Sequence, residues 1–277
     1  MKGLWFTELQ TPTVAISCRV KQTLHWEKTP YQELAVLDTE PFGRMLTLDG
    51  VIQTTVGDEF VYHEMITWVV LSTHPHPQRV LIIGGGDGGA LREVLKHPEV
   101  ESATLVEIDR RVTEVCRQYL PEIAGAFNDP RATVLFEDGI LHVQEHPAAY
   151  DVIIIDSTDP VGPAEGLFSA EFYRNAYRAL RDDGVFVAQT ESPFFNRDLL
   201  ARIYRDVSGV FPVCRLYLAP VPTYPGGLWT FTVGSKRFDP AVVEPRMPQG
   251  VTTRYYNPAV HRAAFALPNF VRELIGS

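Results

Sequence analysis

Val80-Leu81-Ile82-Ile83 runs without a polar side chain into Gly84-Gly85-Gly86-Asp87-Gly88-Gly89, a buried strand closing in a glycine turn. That strand is the first of a series. Apolar strands near 80–84, 103–107, 132–136, 150–155 and 185–189 alternate with amphipathic segments, so the fold class is α/β, with a parallel, doubly wound sheet. Segments near 213–219 and 229–235 read as an antiparallel edge pair, and the tail from His261 as short helices. Ligands of such sheets sit beyond the carboxyl ends of the strands, and the loops there carry the candidate chemistry.

Gly84, Gly86 and Gly89 satisfy the G-x-G-x-x-G spacing of a dinucleotide turn, but Asp87 stands where such turns cradle phosphate. Two like charges ~4 Å apart at an effective dielectric of about 20 repel by roughly 4 kcal/mol. The turn therefore prefers a cationic or neutral ligand. Alternatively, Asp87 only caps a helix over Gly88 to Lys96.

The other strand ends are acidic too: Glu107 and Asp109, Glu137 and Asp138, Asp156 and Asp159. Glu107 lies about twenty residues past the turn, the interval at which a carboxylate accepts ribose hydroxyls. Asp138-Gly139 suits an adenine edge, and Asp138 equally suits a helix N-cap. Asp156 to Gly166 is rich in Pro and Gly and can act as a lid, although its two aspartates also fit a solvated turn. His63, beside Tyr62, could line the crevice, whereas His25, His97, His142, His146 and His261 read as surface or core residues. No metalloprotease helix, nucleophile elbow or P-loop lysine is present, and no metal site is expected.

Before this sheet, Trp5 to about Val56 favours extended chain, with Asp49-Gly50 as a hairpin turn that specifies register. Asp58 can cap a helix to about Ser72 whose apolar face includes Phe60, Met65, Ile66, Val69 and Val70. The expected division is a β-strand domain over 1–57 and a Rossmann-like domain over 58–277. Against 25 basic residues stand 34 acidic ones, a balance of -9 that disfavours nucleic acid and anionic membranes as partners and suits a polycation. Cys18, Cys116 and Cys214 have no paired spacing and read as free thiols of a reducing compartment. With no signal-like start and no membrane-length apolar run, the expected location is cytoplasmic.

Tyr31-Gln32, Leu48 to Gln53, Asp58 to Met65, Gly84 to Gly89, Asp156 to Pro160, Pro222 to Pro225, Tyr255-Tyr256-Asn257 and His261 to Phe265 together resemble the spermidine synthase family, over nearly the whole chain. The resemblance implies a class I methyltransferase-like Rossmann domain behind a small N-terminal antiparallel β-domain. It implies transfer of the aminopropyl group of decarboxylated S-adenosylmethionine, a co-substrate, to putrescine, giving spermidine and 5'-methylthioadenosine, with no cofactor and in a homodimer or homotetramer. Matched by position, Gln32, Glu107, Asp138, Gly139 and Pro163 would hold the nucleoside, and Asp87 the aminopropyl amine. Tyr62, His63, Asp87, Asp156, Ser157, Thr158, Asp159 and Tyr224 would contact the polyamine, with Asp156 as proton acceptor. Gln189 and Glu191, by their place after the fifth strand, could hold the distant amine. The alternatives are an aminopropyltransferase for agmatine, cadaverine or spermidine, an S-adenosylmethionine-dependent amine methyltransferase, and a non-catalytic polyamine or nucleoside sensor.

Overall fold

The computed structural model describes residues 3–159 and 162–276, with Gly162 and Pro163 described by backbone only. Five strands, β1 (Leu4–Thr11), β2 (Val14–Lys28), β3 (Glu33–Thr39), β4 (Gly43–Leu48) and β5 (Val51–Thr55), form an antiparallel meander in chain order. Asp49 and Gly50 both take positive φ, 50° and 77°, as a two-residue primed turn requires. The register does not run on unbroken from this turn, contrary to expectation. Thr47 pairs with Ile52 but Leu46 pairs with Thr54, so Gln53 forms a bulge. A bulge takes a backbone group out of the ladder and re-aims it; the Gln53 carbonyl accepts the Tyr224 hydroxyl at 2.6 Å.

Helix α1 (Glu59–Thr73) follows, buried at every residue but Phe60. A one-faced amphipathic helix was expected; α1 is enclosed instead, in an apolar cluster that joins Leu34, Val36 and Leu46 of the meander to Met65, Val69 and the second sheet. Asp58 occupies the N-cap position without capping. Its carboxylate accepts from Thr55 Oγ1 at 2.6 Å and from the Thr223 N–H and hydroxyl at 3.1 and 2.8 Å, which ties the start of α1 to the loop before Tyr224. Glu64, on the same helix, accepts the backbone N–H groups of Arg254, Tyr255 and Tyr256 at 2.7–2.8 Å.

The second sheet is built from β6 (Arg79–Gly84), β7 (Ser102–Val106), β8 (Ala132–Leu135), β9 (Tyr150–Asp156), β10 (Leu180–Gln189), β11 (Val213–Ala219) and β12 (Trp229–Ser235). Its order is β11-β12-β10-β9-β6-β7-β8, with β12 antiparallel to both neighbours and the rest parallel. Helices α2 (Gly89–Leu95), α3 (Arg110–Tyr119), α4 (Gly139–Glu145), α5 (Ala170–Ala179) and α6 (Arg197–Ser208) connect the strands, and α7 (Pro258–Ala264) and α8 (Asn269–Ile275) end the chain. Alternate strand residues enter opposite cores: Ile82, Val152, Ile154 and Val187 pack in one, Leu81, Ile83, Ile153 and Phe186 in the other. The architecture is a Rossmann-like methyltransferase fold behind an antiparallel sheet. The chain leaves β6 toward β7 and β8, then returns to pair β9 on the other side of β6, and this reversal opens a crevice at the strand ends. Cys18, Cys116 and Cys214 are free and buried. Among the described residues no helix is long and apolar enough to cross a membrane.

Candidate functional site

The crevice depends on close approach of two backbones. Gly84 pairs with Asp156 across β6 and β9 at φ 79°, where a Cβ would lie 2.2 Å from the Asp156 carbonyl oxygen. Gly85 N–H donates to that same oxygen at 2.7 Å. The turn after β6 and the end of β9 are thereby held together, and Asp87 and Asp156 face one space.

Asp87 serves both readings made of it. Its Oδ1 accepts the Gly89 N–H at 2.8 Å at the start of α2, while Oδ2 lies 3.3 Å from His63 Nε2. His63 Nδ1 stands 2.6 Å from Glu59 Oε2, so both ring nitrogens face carboxylates. Burial disfavours a charged ring, but Asp87 and Glu59 outweigh it and hold the imidazole well above its ordinary pKa. Burial likewise opposes ionisation of Asp87, and the His63 charge with the Gly89 N–H brings its carboxyl below the usual value.

Asp156 differs. Burial raises its pKa to about 6, with Asp87 adding to the rise and His63 and the Tyr62 hydroxyl opposing it. Its Oδ2 has no hydrogen-bond partner among the described residues. Tyr62 and Tyr224 wall the space with ring centroids 5.4 Å apart, Tyr224 held at its hydroxyl by Gln53 and through its neighbour Thr223 by Asp58. One atom each of His63, Asp87 and Asp156 lie within 4.8 Å of one another, the only such cluster of potential metal ligands among the described residues.

Across the crevice, Glu107 accepts the Gly86 and Asp109 N–H groups at 3.2 and 2.8 Å, and burial raises its carboxyl to about 7 against those donors. Asp138 caps α4 through the Ile140 N–H at 2.8 Å and still faces the cavity. Gln32 donates to Asp109 Oδ2 at 3.0 Å. Asp109, grouped by sequence with the rim acids, is buried as the cap of α3 and the acceptor of Thr29 and Gln32. Glu137 is exposed and pairs with buried His142.

One cavity of ≈ 300 Å³ is lined by Gln32, Tyr62, His63, Asp87, Glu107, Asp138, Gly139, Asp156, Ser157, Thr158, Asp159 and Tyr224. Its wall near the 156–168 segment includes Ala164 and Leu167. The expected contact at the Pro163 side chain, and the part of the proposed lid at Pro160 and Val161, lie outside the described residues. Gln189 and Glu191 are buried behind the cavity: Gln189 Nε2 donates to the Ser157 carbonyl at 3.3 Å. Glu191 takes φ 73°, a strained value for a non-glycine residue, with Oε1 unpartnered among the described residues. Burial, then the neighbouring Asp159 carboxyl, push Glu191 well above the ordinary range.

Sequence reasoning passed over three further acids or their partners. Glu8 on β1 is buried, accepts the Ile52 N–H at 2.7 Å, and is raised to about 7 by burial despite that donor, with Asp159 adding to the rise. Its signal was an acid on the inward side of an alternating strand. Glu59 and Arg92, 2.8 Å apart, stand behind His63; the i, i+4 spacing of Glu59 and His63 on a helix was the available clue.

The sequence model of the spermine/spermidine synthase domain matches residues 59–244, and that of the spermidine synthase tetramerisation domain matches 4–56. The polyamine aminopropyltransferase of Moorella thermoacetica is 64% identical over 275 residues, 99% of this chain and 97% of that protein. The polyamine aminopropyltransferase of Desulforudis audaxviator is 62% identical over 98% of both. A crystal structure of spermidine synthase in complex with the transition state analogue AdoDATO superposes with TM-score 0.96 at 42% identity, over 100% of this chain and 96% of that one. Spermidine synthase from Thermotoga maritima gives TM-score 0.94 at 42% identity, over 100% and 95%.

Proposed function

We propose, from the premise that this chain belongs to the spermine/spermidine synthase family and is an aminopropyltransferase, that it moves the aminopropyl group of decarboxylated S-adenosylmethionine to putrescine. The observation that carries the reading is the meeting of Asp87 and Asp156 beside Tyr62 and Tyr224 at the β6–β9 switch point. Glu107 takes the ribose hydroxyls, and Gln32, Asp138, Gly139 and Pro163 frame the rest of the nucleoside. Asp87 binds the ammonium of the aminopropyl group, and it would repel the carboxylate that ordinary S-adenosylmethionine carries there.

An amine attacks only after it loses its proton. Asp156 takes that proton, the nitrogen lone pair bonds to the propyl carbon next to sulfur, and the C–S electron pair returns to sulfur as neutral thioether. The sulfonium is a leaving group in its own right, and the step transfers no electrons to or from a cofactor. Tyr62 and Tyr224 orient the acceptor and exclude water, so most of the acceleration comes from near-attack alignment. Asp159, with Glu191 and Glu8 behind it, meets the acceptor's far ammonium. His63, with both nitrogens committed to carboxylates, acts on the polyamine through Asp87.

The meander, Leu4–Thr55, is assigned to assembly as a homodimer or homotetramer. Trp5 and Leu9, on one face of edge strand β1, expose 58% and 71% of their surface. The catalytic reading is tested by initial rates with the decarboxylated and ordinary donors against putrescine, agmatine, cadaverine and spermidine. Release of 5'-methylthioadenosine with putrescine preferred is the expected result; methyl transfer, or absence of turnover with the decarboxylated donor, overturns it.

A further inference from the structure

Asp87 and Asp156 must both be carboxylates for the proposed reaction, one to hold an ammonium and the other to take a proton. Atoms of the two lie within 4.8 Å of each other in a buried crevice, an arrangement in which the charge of one carboxylate opposes ionisation of the other. The reading of the reaction leaves unexplained how this pair is emptied of protons at neutral pH.

The answer lies one layer behind the cavity. His63 is within that same 4.8 Å of both aspartates, and its far nitrogen is 2.6 Å from Glu59. Glu59 is in turn fixed by Arg92 Nη2 at 2.8 Å, and Arg92 is itself anchored by Glu93 Oε1 and the Glu122 carbonyl, both at 3.0 Å. Gly89 completes the seat, because a Cβ there would stand 2.2–2.5 Å from the imidazole ring atoms. Glycine at position 89 thus leaves the room that the ring occupies between Asp87 and Glu59. A histidine faced by carboxylates at both nitrogens keeps both protons.

We propose that Glu59, held by Arg92, is a positioning residue that keeps His63 an imidazolium so that Asp87 and Asp156 are ionised together. The proposal rests on the aminopropyltransferase reading above. The groups facing His63 are Glu59 on α1, Asp87 after β6 and Asp156 at the end of β9; those facing Asp87 further include Tyr62, Tyr224 and the Cys116 thiol. None of the latter three carries a positive charge. With the Glu59 charge removed, the ring's proton has an alternative home on the aspartate pair, and the base is lost until the medium is alkaline enough to remove that proton altogether.

The test has two arms. In ligand-free protein labelled with ¹⁵N-histidine, with His63→Gln identifying the signal, both ring nitrogens of His63 should remain protonated from pH 6 to 9. In Glu59→Gln the ring should lose a proton inside that range. Kinetically, kcat/KM of Glu59→Gln relative to wild type should fall at least tenfold at pH 7 and climb back toward unity by pH 9. A merely structural role would lower the ratio equally at every pH, and calorimetric binding of methylthioadenosine reports that the site remains folded. A neutral His63 ring in the wild type at pH 8, or a pH-independent ratio, overturns the proposal. Wild type without turnover of the decarboxylated donor overturns the reaction instead, and leaves the nitrogen measurement standing.

Discussion

Raising the pH from 5.5 to 8 should destabilise the ligand-free protein, and Glu107 gives the size of the effect. In the unfolded chain its carboxyl loses its proton near the ordinary 4.5; in the folded protein burial delays this to about 7. The folded state therefore binds more protons between those values, and stability falls as pH rises through the window. At 1.36 kcal/mol per pH unit the full window is worth about 3 kcal/mol, of which about 2 kcal/mol falls between pH 5.5 and 8. Glu8, also raised to about 7, and Asp156, raised to about 6, act in the same direction. So does His63, whose raised pKa gives stability that is full below its unfolded value of 6.5 and is lost progressively as pH rises above it toward the folded value. His74, His97 and His261, lowered by burial, oppose the trend as pH rises through 6.5. The clean quantity is a double difference: urea-unfolding free energies of wild type and Glu107→Gln at both pH values and one protein concentration. Whatever glutamine does to absolute stability through the Gly86 and Asp109 N–H groups, it should remove about 2 kcal/mol of the pH dependence, and the histidine contributions cancel. An identical pH dependence in the two proteins would refute the account of Glu107 as a carboxyl that ionises late.

Asp156→Asn keeps the shape and removes the proton acceptor, so kcat should drop by about 10²–10⁴-fold with methylthioadenosine binding retained in calorimetry; near wild-type kcat at neutral pH would sink the assignment. Gly89→Ala drives a methyl group into the His63 ring, which should cost about 1–3 kcal/mol of stability and displace the imidazole from Asp87, seen as a raised KM for the donor. An unchanged KM would mean that the ring's seat does not matter. Trp5→Glu with Leu9→Glu, on one face of edge strand β1, should lower the sedimenting mass toward 31 kDa, and an unaltered mass removes that face from the assembly.

What the sequence made legible follows from range. The strand–helix alternation, the hairpin at Asp49-Gly50 and the acids at the strand ends are written in local patterns of apolar period and glycine placement, and twelve of the named residues do line one cavity. The Gln53 bulge was not legible, since a bulge is decided by what the strand meets, here Tyr224 from the far end of the chain. Asp58 misled for the same reason: cap chemistry is local, but Thr55 and Thr223 compete for its oxygens and win. Asp109 looked like its neighbour Glu107, and only the tertiary contacts with Thr29 and Gln32 separate a cap from a rim carboxylate. Glu8 left only its place on the inward side of β1 as a signal, and the alternation of that strand is too weak to say which side is inward.

The proposed reaction asks the cavity to take a dication and a sulfonium, hence several carboxylates, and carboxylates crowded out of water do not stay charged unless something compels them. The structure meets this differently at each place. Asp87 has an imidazolium and an N–H group, and its charge is secured before any ligand arrives. Asp156 has an open oxygen and an intermediate pKa, which leaves it able to gain and lose a proton during turnover. At Glu191 burial, then the Asp159 carboxyl, favours keeping the proton, while Asn196 Nδ2 donates to Oε2 at 2.9 Å. Were the acceptor's far ammonium to bind there as proposed, it would replace that proton, and binding would strengthen with pH for as long as the incoming amine itself remains charged.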